Sequence, residues 1–135
     1  MNTLRSMLAC FALLICLVST VRAAPEWNLA TGGKWNVAGN WSTDLVPDGP
    51  TVTADMHDRL TTVTSAGNII DLEGMNRTVK QLDFQTTNLS VFYNIANGTL
   101  TLGDASNAGA ISVGAANSND QTISAGLNYA NAATT

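Results

Sequence analysis

Residues 98–128 read GTLTLGDASNAGAISVGAANSNDQTISAGLN, and this stretch decides the fold class. Apolar and polar side chains alternate in three short runs, separated by Gly, Asn, Ser and Asp. Alternation with a period of two places one side of a β-strand in an apolar interior. The runs return every 11 or 12 residues, as Leu100, Ile111 and Ile123 show. This return predicts one small repeated β-unit, with these three side chains facing inward.

Short strands with the same alternation are predicted upstream. They lie at residues 51–54, 60–65 (with Val63 inward), 68–73, 78–84 and 89–95. The strand at 78–84 shifts its apolar phase around Lys80 and Gln81, which predicts a β-bulge. No run after residue 23 has the helical period of an amphipathic helix. The sequence therefore predicts an all-β protein.

Strands at this spacing suit either a β-sandwich or a parallel β-helix. The later strands carry only Leu, Ile, Val and Ala, with Gly and Asn at the corners, and this favours a narrow β-helix of a few coils over residues 51–135. The β-sandwich is the alternative. Residues 128–135 contain no evident cap, so they are read either as a frayed tail or as the point where a longer array is truncated. An uncapped end also predicts self-association there.

The segment 1–23 is predicted to be a secretory signal peptide. Arg5 precedes an apolar run at residues 7–18, which is short for a membrane span, and cleavage is expected after Ala23. Both cysteines, Cys10 and Cys16, lie inside this segment. The exported chain is therefore expected to lack disulfides and a membrane span, and to be secreted or held at the outer cell surface.

The charge balance argues against nucleic-acid binding. The whole chain has a formal net charge of −4, and loss of two arginines with the signal leaves four basic and ten acidic residues, a formal charge of −6. No basic patch is available to neutralise phosphates. Extracellular polysaccharide or cell-surface components are the expected partners.

Residues 24–50 differ from the rest because they contain all three tryptophans, Trp27, Trp35 and Trp41. The segment ends in Pro-Asp-Gly-Pro at residues 47–50, a strong turn signal. A repeat array needs a cap over its terminal strands, and this segment is predicted to be that N-terminal cap. The alternative is that the three indoles form a platform on which a carbohydrate stacks.

Two groups of residues are candidates for chemistry, and neither is predicted to carry it. His57 is flanked by Asp55 and Asp58, but these positions converge poorly from one strand, so a solvated loop is favoured over a metal site. Asp71 and Glu73 share one face of a predicted strand and could act as paired carboxylates or bind calcium. A polar outer face is the favoured interpretation. No catalytic residue, metal or cofactor is predicted.

A set of short motifs resembles a known family. They are WN at 35–36, GNWS at 39–42, VPD at 46–48, VKQLDF at 79–84, GTLTLG at 98–103 and ISV at 111–113. With them, most of the chain after residue 23 resembles bacterial autotransporter-associated β-strand repeat proteins. The resemblance implies a right-handed parallel β-helix exported to the cell surface or medium, and it brings no catalytic residues.

The leading functional hypothesis is an exported, non-enzymatic β-helical protein that acts as a structural or adhesin-like surface module. Its polar ladders of Thr, Asn and Ser would be presented on a rigid stack. The alternative is a carbohydrate-binding or polysaccharide-degrading β-helix protein, which would use either the tryptophan segment or the pair Asp71 and Glu73.

Overall fold

A computed structural model describes residues 22–64, 67–87, 90–114 and 120–130 of the chain. These residues form nine β-strands and one turn of 3-10 helix, Ala38–Asn40, and they contain no α-helix. The protein is therefore all-β, as its alternation predicts. Most of the predicted signal peptide, Leu89 and the segment 131–135 lie outside the described residues.

The strands form two sheets. The first has the spatial order β1 (Gly33–Lys34), β3 (Asn68–Asp71), β5 (Tyr93–Ala96) and β8 (Thr122–Ile123). The second has the order β2 (Gly49–Met56), β4 (Asn76–Phe84), β6 (Thr99–Leu102) and β9 (Gly126–Tyr129), and β7 (Ala110–Val113) also pairs with β4.

All pairs between these strands are parallel. Antiparallel sheets, on which the sandwich alternative depends, are absent from the strand pairs of the described residues. From β1 to β6 the chain passes from one sheet to the other at every step, and consecutive strands do not pair with each other. Parallel pairing needs this kind of crossover connection.

The long strand β4 has two halves with different neighbours. Residues 76–79 pair with β6, and residues 81–84 pair with β7. On its other side, the register with β2 shifts between Gly49 and Thr53, which face Val79 and Gln81. The phase change predicted at Lys80 and Gln81 is confirmed. Strict alternation would place Val79 and Leu82, three residues apart, on opposite faces of the strand, but both are buried.

Parallel pairing stacks side chains in columns. Ile70, Ile95 and Ile123 form one column in the first sheet. Both Ile70 and Ile95 are fully buried, and Ile123 packs against the same core. Two residues that are neighbours in this column are therefore separated along the chain by roughly two of the 11- or 12-residue steps of the sequence pattern, and not by one.

The prediction that Leu100, Ile111 and Ile123 share one inward row is wrong. Leu100 lies in β6 and is fully buried, whereas Ile111 lies in β7 and is 42% exposed. Ile123 lies in β8, in the other sheet. The regular 11- and 12-residue steps are the distances along the chain between the strands β6, β7 and β8. These strands lie at different positions around the core, so equal spacing does not place the three residues in one row.

Within the described residues, the C-terminal end of the core is open. β7, β8 and β9 have no further strand beyond them in the described part of the chain. Columns end there in four apolar side chains that are 42–57% exposed: Ile111, Val113, Leu127 and Tyr129.

One predicted strand is missing. Residues 60–64 form no strand, and Val63 is 66% exposed instead of facing inward. Only Leu60 of this segment is buried in the core. Backbone amides of Thr61 and Thr62 both donate to the carbonyl of Ala30, so the segment is held as a loop against the tryptophan region.

Candidate functional site

The three tryptophans form one buried cluster. Trp41 lies between the other two, with ring centroids 5.1 Å from Trp27 and 4.8 Å from Trp35, both in edge-to-face geometry. Their exposed fractions are 0–1%. Each indole N–H donates to a backbone carbonyl: Trp27 to Thr31, Trp35 to Pro47 and Trp41 to Trp35.

This geometry bears on the carbohydrate platform predicted as an alternative. A sugar stacks on the open face of an aromatic ring, and the rings of Trp27, Trp35 and Trp41 have no open face in this structure. The backbone amide of Trp27 donates to Asp55 and that of Trp35 donates to Asp71, so the segment is attached to both sheets. The tryptophans fill the N-terminal end of the core.

The pair Asp71 and Glu73 does not share a strand face. β3 ends at Asp71, and Glu73 lies in a turn with a positive φ of 55°. The Glu73 carboxylate binds Lys34 at 2.6 Å and accepts a hydrogen bond from Asn36, and these contacts hold its pKa below the usual value. Asp71 accepts the backbone amide of Glu73. The two carboxylates therefore stabilise the turn.

The structure brings together a different cluster, made of Asp55, His57 and Asp83. Asp55 lies in β2 and Asp83 lies opposite it in β4. Their neighbours along each strand are buried, so both aspartate side chains project from the outer face of the sheet. His57 follows β2 directly and projects on the same side as Asp55 by the two-residue alternation of strands. Suitable ligand atoms of the three residues all lie within 4.8 Å of one another.

Neighbouring groups hold the cluster in place. The side-chain amide of Gln85 donates to Asp83 Oδ1 at 3.1 Å, and the Tyr93 hydroxyl donates to the backbone carbonyl of His57 at 2.6 Å. Tyr93 is buried, and its burial raises the pKa of the phenol so that it stays a donor. The strand register therefore sets Asp55 opposite Asp83, and the Tyr93 hydrogen bond holds the backbone of His57 beside them.

The charges in the cluster are incompletely balanced. Glu26 is the register neighbour of Asp55 on the side away from Asp83, so three carboxylates follow one another across the sheet. Glu26 is paired with Arg59 at 3.2 Å. Burial raises the pKa of Asp55, the nearby carboxylates raise it further, and His57 opposes this. A positive charge beside Asp55 and Asp83 would thus be electrostatically favourable.

The sequence-based grouping of His57 with Asp58 is not found. The Asp58 carboxylate accepts hydrogen bonds from the backbone amide and the hydroxyl of Thr87, the latter at 2.9 Å. Sequence reasoning missed Asp83, which reaches the site through strand pairing. A signal was present, because Asp55 and Asp83 each stand between two apolar residues, in the triplets Ala-Asp-Met and Leu-Asp-Phe.

A groove of about 420 Å³ lies beside the start of β2. It is lined by residues 22–25, by residues 43, 45, 46 and 48, and by residues 51–53 of β2. Cleavage after Ala23, as predicted from the sequence, would remove two of its lining residues, Arg22 and Ala23.

No family model, no curated protein and no solved structure matches the chain. Among the described residues, no helix has the length and apolar character needed to cross a membrane.

Proposed function

We propose that the protein is an exported, non-catalytic surface module built as a short parallel β-helix. It presents ladders of polar side chains on a rigid stack, and it joins a second copy of itself through its open C-terminal end. The motifs shared with autotransporter-associated β-strand repeats and the signal-like segment 1–23 support export.

The observation that carries this proposal is the parallel stacking of the strands within each sheet, which places their side chains in columns. Each sheet gains one strand each time the chain returns to it. Apolar inward columns such as Ile70, Ile95 and Ile123 alternate with outward columns that are mainly polar. Thr78, Thr101 and Asn128 form one such outward column. An array of backbone hydrogen bonds supplies stability in a chain whose only cysteines lie in the predicted signal.

The two ends of the stack differ, and this difference favours pairing of two copies. The N-terminal end is filled by the tryptophan cluster. In the described part of the chain, the C-terminal end exposes the apolar ends of its columns, and no strand lies beyond β7, β8 and β9. These three strands contain no charged residue. Charged residues, especially Lys, and Pro are the usual protection of such edges.

One open end per copy predicts a closed dimer. An interface that uses the same end of both copies is isologous and has two-fold symmetry, so association stops at two chains. Head-to-tail growth is disfavoured because the other end is already filled.

The test is sedimentation equilibrium of the purified protein and of two aspartate variants. Leu127→Asp places a charge at the open end, where Leu127 is 47% exposed, and is expected to yield a monomer. Val63→Asp places the same charge at an apolar side chain that is 66% exposed in the loop, and is expected to leave the dimer unchanged. The parent protein is expected to be dimeric.

A monomeric parent protein, or one that forms polymers of increasing size, would contradict the dimer. Equal loss of association in both variants would show that general surface hydrophobicity, and not the open end, drives the contact.

A further inference from the structure

We infer that Asp55, His57 and Asp83 form a binding site for one divalent transition-metal ion, with Zn²⁺ as the best-suited candidate. The inference does not depend on the proposed surface function. It goes beyond the sequence pattern, which groups His57 with Asp55 and Asp58 and misses Asp83.

The first argument is the separation of the donor atoms. His57 Nε2 and Asp83 Oδ2 are 3.8 Å apart, which is too long for a hydrogen bond. Two atoms bound to one Zn²⁺ at about 2.0–2.2 Å are separated by about 3.3–3.6 Å at a tetrahedral angle. The observed separation thus comes close to that of two ligands of the same ion, and Asp55 supplies a third oxygen within 4.8 Å.

The second argument is the state of the histidine nitrogen. Nε2 is shielded from solvent and has no hydrogen-bond partner, although the His57 side chain as a whole is 37% exposed. Buried polar atoms are nearly always satisfied, so an imidazole nitrogen that faces two carboxylates without a partner calls for one. A metal ion between the nitrogen and the carboxylates would satisfy it.

The donor set selects the class of metal. Calcium and magnesium prefer oxygen ligands alone, whereas one imidazole with two carboxylates suits Zn²⁺ and related transition-metal ions. Three protein ligands leave a fourth position for water, and the exposed part of the His57 ring places the site at the surface. Gln85 donates to Asp83 at 3.1 Å from Oδ1 and 3.4 Å from Oδ2, and Oδ2 is the oxygen that lies 3.8 Å from His57 Nε2.

The experiment is isothermal titration of the purified, chelator-treated protein with zinc chloride. One Zn²⁺ is expected to bind per chain. His57→Gln and Asp83→Asn each remove one ligand with little change of shape, and each is expected to weaken binding by about tenfold or more. Asp58→Asn is the matched control, because Asp58 adjoins His57 in sequence but binds Thr87. It is expected to bind Zn²⁺ like the parent protein.

A second measurement keeps the test independent of variant folding. Co²⁺ added to the parent protein is expected to yield the intense visible absorption of a four-coordinate ion, and Zn²⁺ is expected to displace it. Absence of stoichiometric Zn²⁺ binding would overturn the inference. So would unchanged affinity in His57→Gln, equal weakening by Asp58→Asn, or preference for Ca²⁺ over Zn²⁺.

Discussion

Replacing Trp41 with alanine is expected to lower the free energy of unfolding by about 3–5 kcal/mol. Trp41 is 1% exposed and lies between the rings of Trp27 and Trp35, so its removal leaves a cavity and breaks two edge-to-face contacts. Each aromatic pair adds about 0.5–1.5 kcal/mol beyond buried area. The loss of the indole N–H also leaves the Trp35 carbonyl without its 2.8 Å donor.

Urea unfolding followed by circular dichroism measures this loss. Val37→Ala is the control, because Val37 lies in the same segment but is 44% exposed, and a change of about 0.5 kcal/mol or less is expected. A Trp41→Ala variant of unchanged stability that lost binding to a glycan would contradict the buried cluster. That result would favour the carbohydrate platform.

Replacing Leu82 with alanine is expected to cost about 2–5 kcal/mol, whereas replacing Ile111 is expected to cost about 1 kcal/mol or less. The two residues are register partners in neighbouring strands. Leu82 is fully buried in the middle of its column, and Ile111 is 42% exposed at the end of it. Position along the column, and not residue type, therefore determines the expected difference.

Both variants are best measured by urea unfolding in the Leu127→Asp background, so that association of two chains does not cover Ile111. Equal losses from the two substitutions would show that Ile111 is buried as deeply as Leu82. That outcome would contradict the open C-terminal end, because Ile111 ends the column of Ala54 and Leu82 there.

Local features of the fold are predictable from the sequence because their causes are local. Alternation identifies Ile70 and Leu72, or Val79, Leu82 and Phe84, as inward residues, and all of them are buried. The corner at 97–98 is also readable, since Asn tolerates the left-handed conformation that Asn97 adopts with a φ of 58°.

Strand neighbours are not predictable in this way, because they depend on the whole path of the chain. The loop at residues 61–64 has the composition of a strand, but its amides bond to Ala30 and its Val63 faces solvent. The two halves of β4 pair with different strands, β6 and β7. The interval that recurs in the sequence is therefore the distance between consecutive strands, which is shorter than the distance between residues that stack.

The candidate site shows the same division. His57 and Asp55 are adjacent enough in sequence to be noticed together, but Asp83 joins them only through the register of β2 with β4. The tryptophans are conspicuous in sequence, yet their composition alone cannot distinguish a buried cluster from an exposed platform. Burial of the rings depends on packing against the first strands of both sheets.

Nuclear Overhauser contacts between backbone protons of the isotope-labelled protein test the central claim, parallel pairing of distant strands, most directly. Parallel pairing predicts cross-strand contacts between amide and α protons around Leu82 and Ile111, and around Ile95 and Ile123. Short contacts between opposed α protons arise where antiparallel strands face each other without hydrogen bonds. A network of such α–α contacts between consecutive strands, in place of the predicted pairs, would contradict the account.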